Sequence, residues 1–410
     1  MNNKQTRLTI LVAALGYFVD IYDLQLFNIV SKSSLHGIGI TSVDLVEKYD
    51  YLLFLWQMGG MLAGGLIWGW LGDTRGRKKI LFGSILLYSI ANIANAFVQD
   101  IETYSLIRFI AGLGLAGELG AAITLVSEIM DKEKRGYGTM VIVTMGALGA
   151  VAAVYLSKIQ LPFIPLASWQ IAYLIGGLLG LLLLTLRLGT FESEIFATQD
   201  QSQYKKGNFL YLFRTKERAL RYLACIAVGL PVWYSVGILI KFSKPFSEFI
   251  GVTSPIDVPT CIVFTYLGLS AGDLLSSLIS QWLRSRRKTI LYYLTTAVLV
   301  TIVYLNLKGF SAQTFYILCF MIGLGTGYWA LFVSMSAELF GTNIRALVAS
   351  TTPNFVRGAT VPLILSFKAL QPTIGISYAA GILGIISFGL AFAGVVYLKE
   401  SFGRDLNYSE

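Results

Sequence analysis

Residues 51–81 read YLLFLWQMGGMLAGGLIWGWLGDTRGRKKIL. Tyr51–Leu71 carries no charged side chain, and at about 1.5 Å per residue it crosses the ~30 Å hydrocarbon core of a bilayer. Asp73, Arg75, Arg77, Lys78 and Lys79 follow, and a second apolar stretch begins at Ile80. An uncharged span, a short basic loop and a new span describe a chain that crosses a membrane and turns in water.

The alternation continues in both directions. The chain has 410 residues, 55% hydrophobic and 13% charged, with a mean hydropathy of +0.67; a soluble domain carries about 25% charged residues because its surface faces water. Twelve spans are expected: Thr6–Val30, Tyr51–Leu71, Ile80–Val98, Tyr104–Ile129, Tyr137–Leu156, Leu166–Leu186, Ala219–Ile240, Val258–Leu283, Ile290–Leu305, Phe315–Ala337, Ala346–Leu370 and Ile374–Leu398. Asp20 and Asp23 interrupt the first apolar run, which therefore reads as a retained span and not as a cleavable signal.

Lysine and arginine set the orientation. With the N-terminus inside, the cytoplasmic loops hold Arg75 to Lys79, Lys132 to Arg135, Arg187 to Arg218, Arg284 to Lys288, Arg345 and Arg404. The opposite loops hold scattered lysines (Lys32, Lys48, Lys158, Lys241, Lys244, Lys308 and Lys368) and no arginine. A multi-pass protein of a bacterial inner membrane with both termini in the cytoplasm is expected, and the net charge of +9 follows the membrane rule; no nucleic-acid partner is implied. Cys225, Cys261 and Cys319 lack metal-like spacing and read as packing residues, and His36 as a solvated loop residue.

The polar stretch 190–218 divides a bundle at 1–189 from one at 219–398, with a tail at 399–410. Its second part, FLYLFRTKERALRYL, is expected to lie on the inner leaflet as an amphipathic helix. Ser127-Glu128 and Arg135 recur at one constant offset as Ala337-Glu338 and Arg345. The same offset relates Arg77-Lys78 to Arg287-Lys288 and Leu81 to Leu291. A duplicated unit is the economical reading: an all-α membrane protein, twelve transmembrane helices in two pseudo-symmetric six-helix bundles, with the site at their interface.

GWLGDTRGRKKIL, Gly69 to Leu81, resembles the signature loop of the major facilitator superfamily. Each position also has its own physical reading. Gly69 lets two helices approach, Asp73 can pair with a base or cap a helix N-terminus, Gly76 permits a tight turn, and the basic run contacts anionic lipid. RFIAGLGLAGELGAAITLVSE, Arg108 to Glu128, and the sequences ESEIF and ESFGRDLN resemble the metabolite–proton symporter and sugar-porter branches. The resemblance implies cytoplasmic gating networks: Asp73, Arg77, Glu128, Arg135 and Glu192 in the first half, and Glu338, Arg345, Arg287 and Glu400 in the second. The second half departs from the pattern, with Leu283 in place of the aspartate and Arg286 in place of a glycine, so an asymmetric lock is expected.

Charges inside spans cost at least ~2.5–3.5 kcal/mol each, so they mark function. Asp20, Asp23, Arg108, Glu118, Asp273 and Arg357 qualify. Acids outnumber bases here, so one carboxyl must be protonated during part of a cycle. Asp20, Asp23 and Glu118 are the candidate proton carriers, with Arg108 as their modulator. Arg357, in NFVRGATVP, offers a planar fork for a carboxylate or phosphate. Asp273, Tyr17, Gln25, Asn28, Gln57, Tyr328, Trp329 and Asn354 are the further candidates for the cavity; a static Asp273–Arg357 pair is the competing reading for those two.

These residues suggest proton-coupled symport of a small anionic or zwitterionic metabolite, such as a carboxylate, with sodium as the alternative ion. Proton-driven efflux is a second reading, opposed by the proline-free VTMGALGAVAAVY of span five. A low-flux nutrient receptor is a third. No metal cluster, nucleophile elbow or phosphate loop points to an enzyme; no cofactor is expected, and the protein is expected to be a monomer.

Overall fold

In hydrocarbon every backbone N–H and C=O must be satisfied within the segment, so the apolar stretches fold as helices. The computed structural model describes residues 3–75, 77–130, 135–163, 165–187, 209–405 and 408. Gly76 and Glu192 lie outside these, as do the side chains of Arg77, Glu128 and Arg135. The first half comprises α1 (Asn3–Gly37), α2 (Val43–Arg75), α3 (Arg77–Asn95), α4 (Ile101–Leu115), α5 (Glu118–Ile129), α6 (Arg135–Leu156) and α7 (Ser168–Leu186). The second comprises α8 (Lys216–Tyr234), the short α9 (Ser243–Phe249), α10 (Val258–Leu283), α11 (Arg286–Asn306), α12 (Ala312–Thr326), α13 (Trp329–Glu338), α14 (Arg345–Gly358), α15 (Thr360–Ile374) and α16 (Ile376–Tyr397).

These helices make twelve spans. The pairs α4–α5, α12–α13 and α14–α15 each form one broken span, and a π-helical turn, Ser235–Ile240, continues α8. Ten spans are long and apolar enough to cross a membrane by composition alone. The other two are the short α3 and the α14–α15 span, whose Arg345, Arg357 and Lys368 lower its hydropathy. That polarity belongs to the site.

The halves pack alike. In the first, α1 lies along α6, α2 along α4 and α3 along α7; in the second the same partnerships join α8 to α14, α10 to α12 and α11 to α16. Between the halves, α2 packs on α14 and α6 on α10. Reciprocal glycines allow the closest approaches. A methyl group on Gly60 would strike the Phe109 carbonyl, and one on Gly112 the Gln57 carbonyl; Gly268 and Gly323 stand likewise against Phe320 and Thr265. Either Gly112→Val or Gly323→Val should therefore destabilise by about 1–3 kcal/mol through overpacking. Detergent unfolding curves check this, and unchanged stability in both variants would refute the contact.

The linker differs from expectation. Phe209–Phe213 forms only a single 3₁₀ turn, and residues from Lys216 onward already belong to α8. The physical reason is aromatic packing. Phe209 stacks on Phe355 with centroids 6.0 Å apart and meets Tyr222 edge-on at 6.2 Å, and Leu212 is buried, so Phe209 and Leu212 turn onto protein while Leu210 and Phe213 stay exposed.

Candidate functional site

Arg357 sits near the end of α14, just before the break at Ala359, and is buried between the halves. Its Nη2 lies 3.8 Å from Asp20 Oδ2 and donates to the Tyr17 hydroxyl at 3.4 Å; Nη1 donates to Asn354 Oδ1, also at 3.4 Å. The guanidinium carbon is 5.9 Å from the Trp233 ring and 5.8 Å from the Trp329 ring. Arg357, Tyr17, Trp233 and Trp329, with Ile21, Tyr266 and Asp273, line a cavity of about 40 Å³. The hydrogen bonds around the guanidinium are long, so its fork keeps capacity for a stronger acceptor.

Asp273 does not pair with Arg357. Its Oδ1 accepts the Ala330 N–H at 2.9 Å, at the start of α13. A carboxylate there satisfies a backbone donor that the break at Gly327–Tyr328 leaves free. The competing static pair is thus replaced by a helix cap, and Asp20 takes the place beside Arg357. Asn354 is also tied down, donating to the Ala116 and Ser350 carbonyls at 2.8 and 2.7 Å; this clamps α14 against the break in span four.

A second polar group fills the N-terminal bundle. Glu118, the first residue of α5, accepts a hydrogen bond from Arg187 Nη2, and both side chains are buried. Gly16 makes the room, since a methyl group there would overlap both. Arg108 is buried with no hydrogen-bond partner on any guanidinium nitrogen; it lies 4.5 Å from the Phe27 centroid and 6.0 Å from that of Tyr173. Arg187, not Arg108, therefore neutralises Glu118. Asp23 is buried against Asn92, with Asp20 and Arg108 nearby. Gln57 is buried nearby without a partner and outside the cavity. Tyr328 turns away from the cavity, its hydroxyl donating to the Val228 carbonyl at 2.9 Å.

The face carrying the arginine-rich loops is closed. Asp73 Oδ1 and Oδ2 accept the N–H groups of Ala346 and Leu347 at 3.0 and 2.9 Å, so an acid of the first half caps α14 of the second. Gly69 lets the two helices meet there, the position of its missing methyl group falling 3.0 Å from Leu347 Cα. In the second half Arg286, not Arg287, forks onto Glu338 with two bonds of 2.7 Å. Arg287 instead donates to the Val395 and Val396 carbonyls, because the helix start at Arg286 aims alternate arginines at different neighbours. Arg345 is buried in the same region. Partial burial pushes the Glu400 carboxyl up, but hydrogen bonds from the Ser285 hydroxyl and the Phe402, Arg286 and Ser401 N–H groups outweigh it and hold the carboxyl below its ordinary range.

The opposite face is open. A vestibule of about 630 Å³ descends between the halves to Trp233, Val236 and Tyr266, which also line the central cavity. The two spaces are separated by Gln25, whose Nε2 donates to the Tyr266 hydroxyl at 2.5 Å; Asn28 donates to Gln25 Oε1 at 3.1 Å. Above them Lys241 reaches Asp50 at 3.3 Å across the halves.

Sequence reasoning missed Arg187, Trp233, Tyr266, Lys241 with Asp50, and the role of Arg286. Arg187 directly follows an apolar span and so reads as an ordinary interfacial cation; nothing local reveals a partner 69 residues away. Trp233 carried a usable signal, because Pro231 sits inside the helix just before it and a π-helical turn begins at Ser235. Among the described residues no group of three His, Cys, Asp or Glu side chains could hold a metal ion, and the three cysteines are buried and free.

The family model described as Major Facilitator Superfamily matches residues 13–358. The chain is 24% identical over 392 residues to a protein of Cupriavidus pinatubonensis named as a probable 4-methylmuconolactone transporter, covering 95% of this chain and 89% of that one. It is 26% identical over 402 residues to the 3-(3-hydroxy-phenyl)propionate transporter of Escherichia coli, covering 95% and 94%. Among solved structures it superimposes on the proton:xylose symporter XylE with a TM-score of 0.77 at 14% identity, over 100% of this chain and 99% of that one.

Proposed function

This chain belongs to the Major Facilitator Superfamily, a multi-pass secondary transporter and not an enzyme, and we propose that it takes up a small aromatic carboxylate with protons by alternating access. One observation carries the reading: a buried guanidinium with spare donors, 5.9 and 5.8 Å from two indole rings, in a small cavity that Gln25 and Tyr266 separate from an open vestibule. A carboxylate suits the fork, and the indole faces suit an aromatic ring once the Gln25–Tyr266 contact opens and joins the cavity to the vestibule. The names of the relatives support the class, since a hydroxyphenylpropionate and a muconolactone are both small ring acids.

Coupling follows from Asp20. A substrate carboxylate on Arg357 would stand beside the Asp20 carboxylate, which is 3.8 Å from the guanidinium. Two anions sharing one cation in a dry site are disfavoured, so one takes up a proton. Substrate and proton therefore enter together. By the positive-inside rule the closed basic face lies in the cytoplasm of a bacterial inner membrane, with both termini. This conformation is then outward-facing, and Asp73 on α14 and Arg286 on Glu338 are the inner locks. The protein acts as a monomer, the site being complete within one chain.

Proteoliposomes test the reading. An inward proton gradient should accelerate uptake of benzoate and of 3-(3-hydroxyphenyl)propionate at least tenfold over no gradient, and an inward sodium gradient should not. Uptake indifferent to the proton gradient would remove the coupling, and uptake of neither acid would remove the substrate class.

A further inference from the structure

We infer that Tyr88, on α3, relays protons between Asp23 and Glu118 along a hydrated file inside the N-terminal bundle, apart from the substrate cavity. The inference rests on the proton-coupled reading and extends it to a residue and a route.

Three helical stripes converge there. On α1, Gly16, Asp20 and Asp23 share one face at spacings of four and three; on α3, Tyr88, Asn92 and Asn95 do the same; on α7, Gly176 and Gly180 are followed at seven by Arg187, the residue that ends the helix. The glycines of α7 and α1 fix what each level holds. Gly176 abuts Asp23 Oδ1, Gly180 abuts the Ser89 hydroxyl and the Tyr88 ring, and Gly16 abuts Arg187 and Glu118. Passing down the bundle, a carboxyl, a pair of hydroxyls and an ion pair succeed one another. Asp23 and Gly16 are seven residues apart, an axial step of about 10 Å, too long for direct transfer. Tyr88 lies between the two levels, within electrostatic reach of Glu118, Asp23, Arg187 and Asp20.

The polar atoms along this file are orphaned. The Ser89 and Tyr88 hydroxyls and Glu118 Oε2 are buried with no hydrogen-bond partner in the protein, and above them Asp23 has only Asn92 as a polar neighbour of its own level. By contrast, the neighbouring Tyr104 and Tyr173 hydroxyls meet at 2.8 Å, and the Tyr22 hydroxyl donates to the Ala172 carbonyl at 2.9 Å. Packing alone would satisfy Tyr88 in the same way. Contiguous orphaned groups are where buried water is held. None of these side chains lines the cavity around Arg357. Asp20 joins the two systems, facing Arg357 on one side and Glu118 with Arg187 on the other.

In the relay the Tyr88 oxygen accepts a proton from water on the Asp23 side. It gives its own hydroxyl proton to water on the Glu118 side, and rotation about the C–O bond resets it. No net charge remains on the ring, and one proton has advanced.

The test separates net proton movement from substrate handling. Proteoliposomes carrying Tyr88→Phe should lose gradient-driven uptake of 3-(3-hydroxyphenyl)propionate about tenfold or more, with proton influx read by an entrapped pH dye falling in parallel. Exchange of internal for external substrate, which needs no net proton transfer, should stay within about twofold of wild type. Should Tyr88→Phe fail to fold, Asn92→Leu carries the same two readouts. Net uptake and exchange falling together, or neither falling, would overturn the relay. Wild-type protein without gradient-driven uptake would instead count against the symport reading, and the relay would fall with it.

Discussion

Arg357→Met should reduce binding and uptake of an aromatic carboxylate by a hundredfold or more, and Arg357→Lys by about tenfold to a hundredfold, a loss of roughly 1.4–2.8 kcal/mol. The guanidinium is held by Asn354 and Tyr17 at 3.4 Å each and lies near Trp233 and Trp329 at 5.9 and 5.8 Å. A lysine keeps the charge but loses the planar fork and the flat face between indoles. Removing the charge also leaves Asp20 without its neighbour, and truncating one partner of a buried charged contact costs about 2–5 kcal/mol. Titration of purified protein, followed by the fluorescence of the two cavity tryptophans, gives the affinities. Normal binding by Arg357→Lys would sink the anion site.

Glu118→Gln should abolish gradient-driven net uptake while leaving exchange, because glutamine resembles a carboxyl that never releases its proton. It should also be the more destabilising of two reciprocal changes. Losing one member of a buried ion pair costs about 3–5 kcal/mol, and in Glu118→Gln the survivor is a guanidinium that cannot discharge itself. In Arg187→Gln the survivor is a carboxylate, which neutralises by taking up a proton. Denaturation in detergent should rank wild type above Arg187→Gln, and Arg187→Gln above Glu118→Gln. The reverse order would mean that Glu118 is not charged in this conformation. Gradient-driven uptake by Glu118→Gln at the wild-type rate would remove Glu118 from the proton route.

The amino-acid order determined the spans, the two-fold repeat and which charges lie inside the spans. Hydropathy needs only local composition, so Val258–Leu283 is the same from sequence and in the folded chain. Buried charge is equally local, since Asp20, Asp23, Glu118 and Arg357 stand out wherever their helices pack. Which charges meet was decided by tertiary structure. Arg187 finds Glu118, Asp273 caps α13, Arg286 displaces Arg287 on Glu338, and Trp233 closes on Arg357. Each of these depends on helix rotation and on where a span breaks. Small residues set both, Gly16, Gly176 and Gly180 by admitting neighbours and Gly327 by freeing a helix start. A glycine's sequence position does not say which neighbour it will admit, and the packed bundle does.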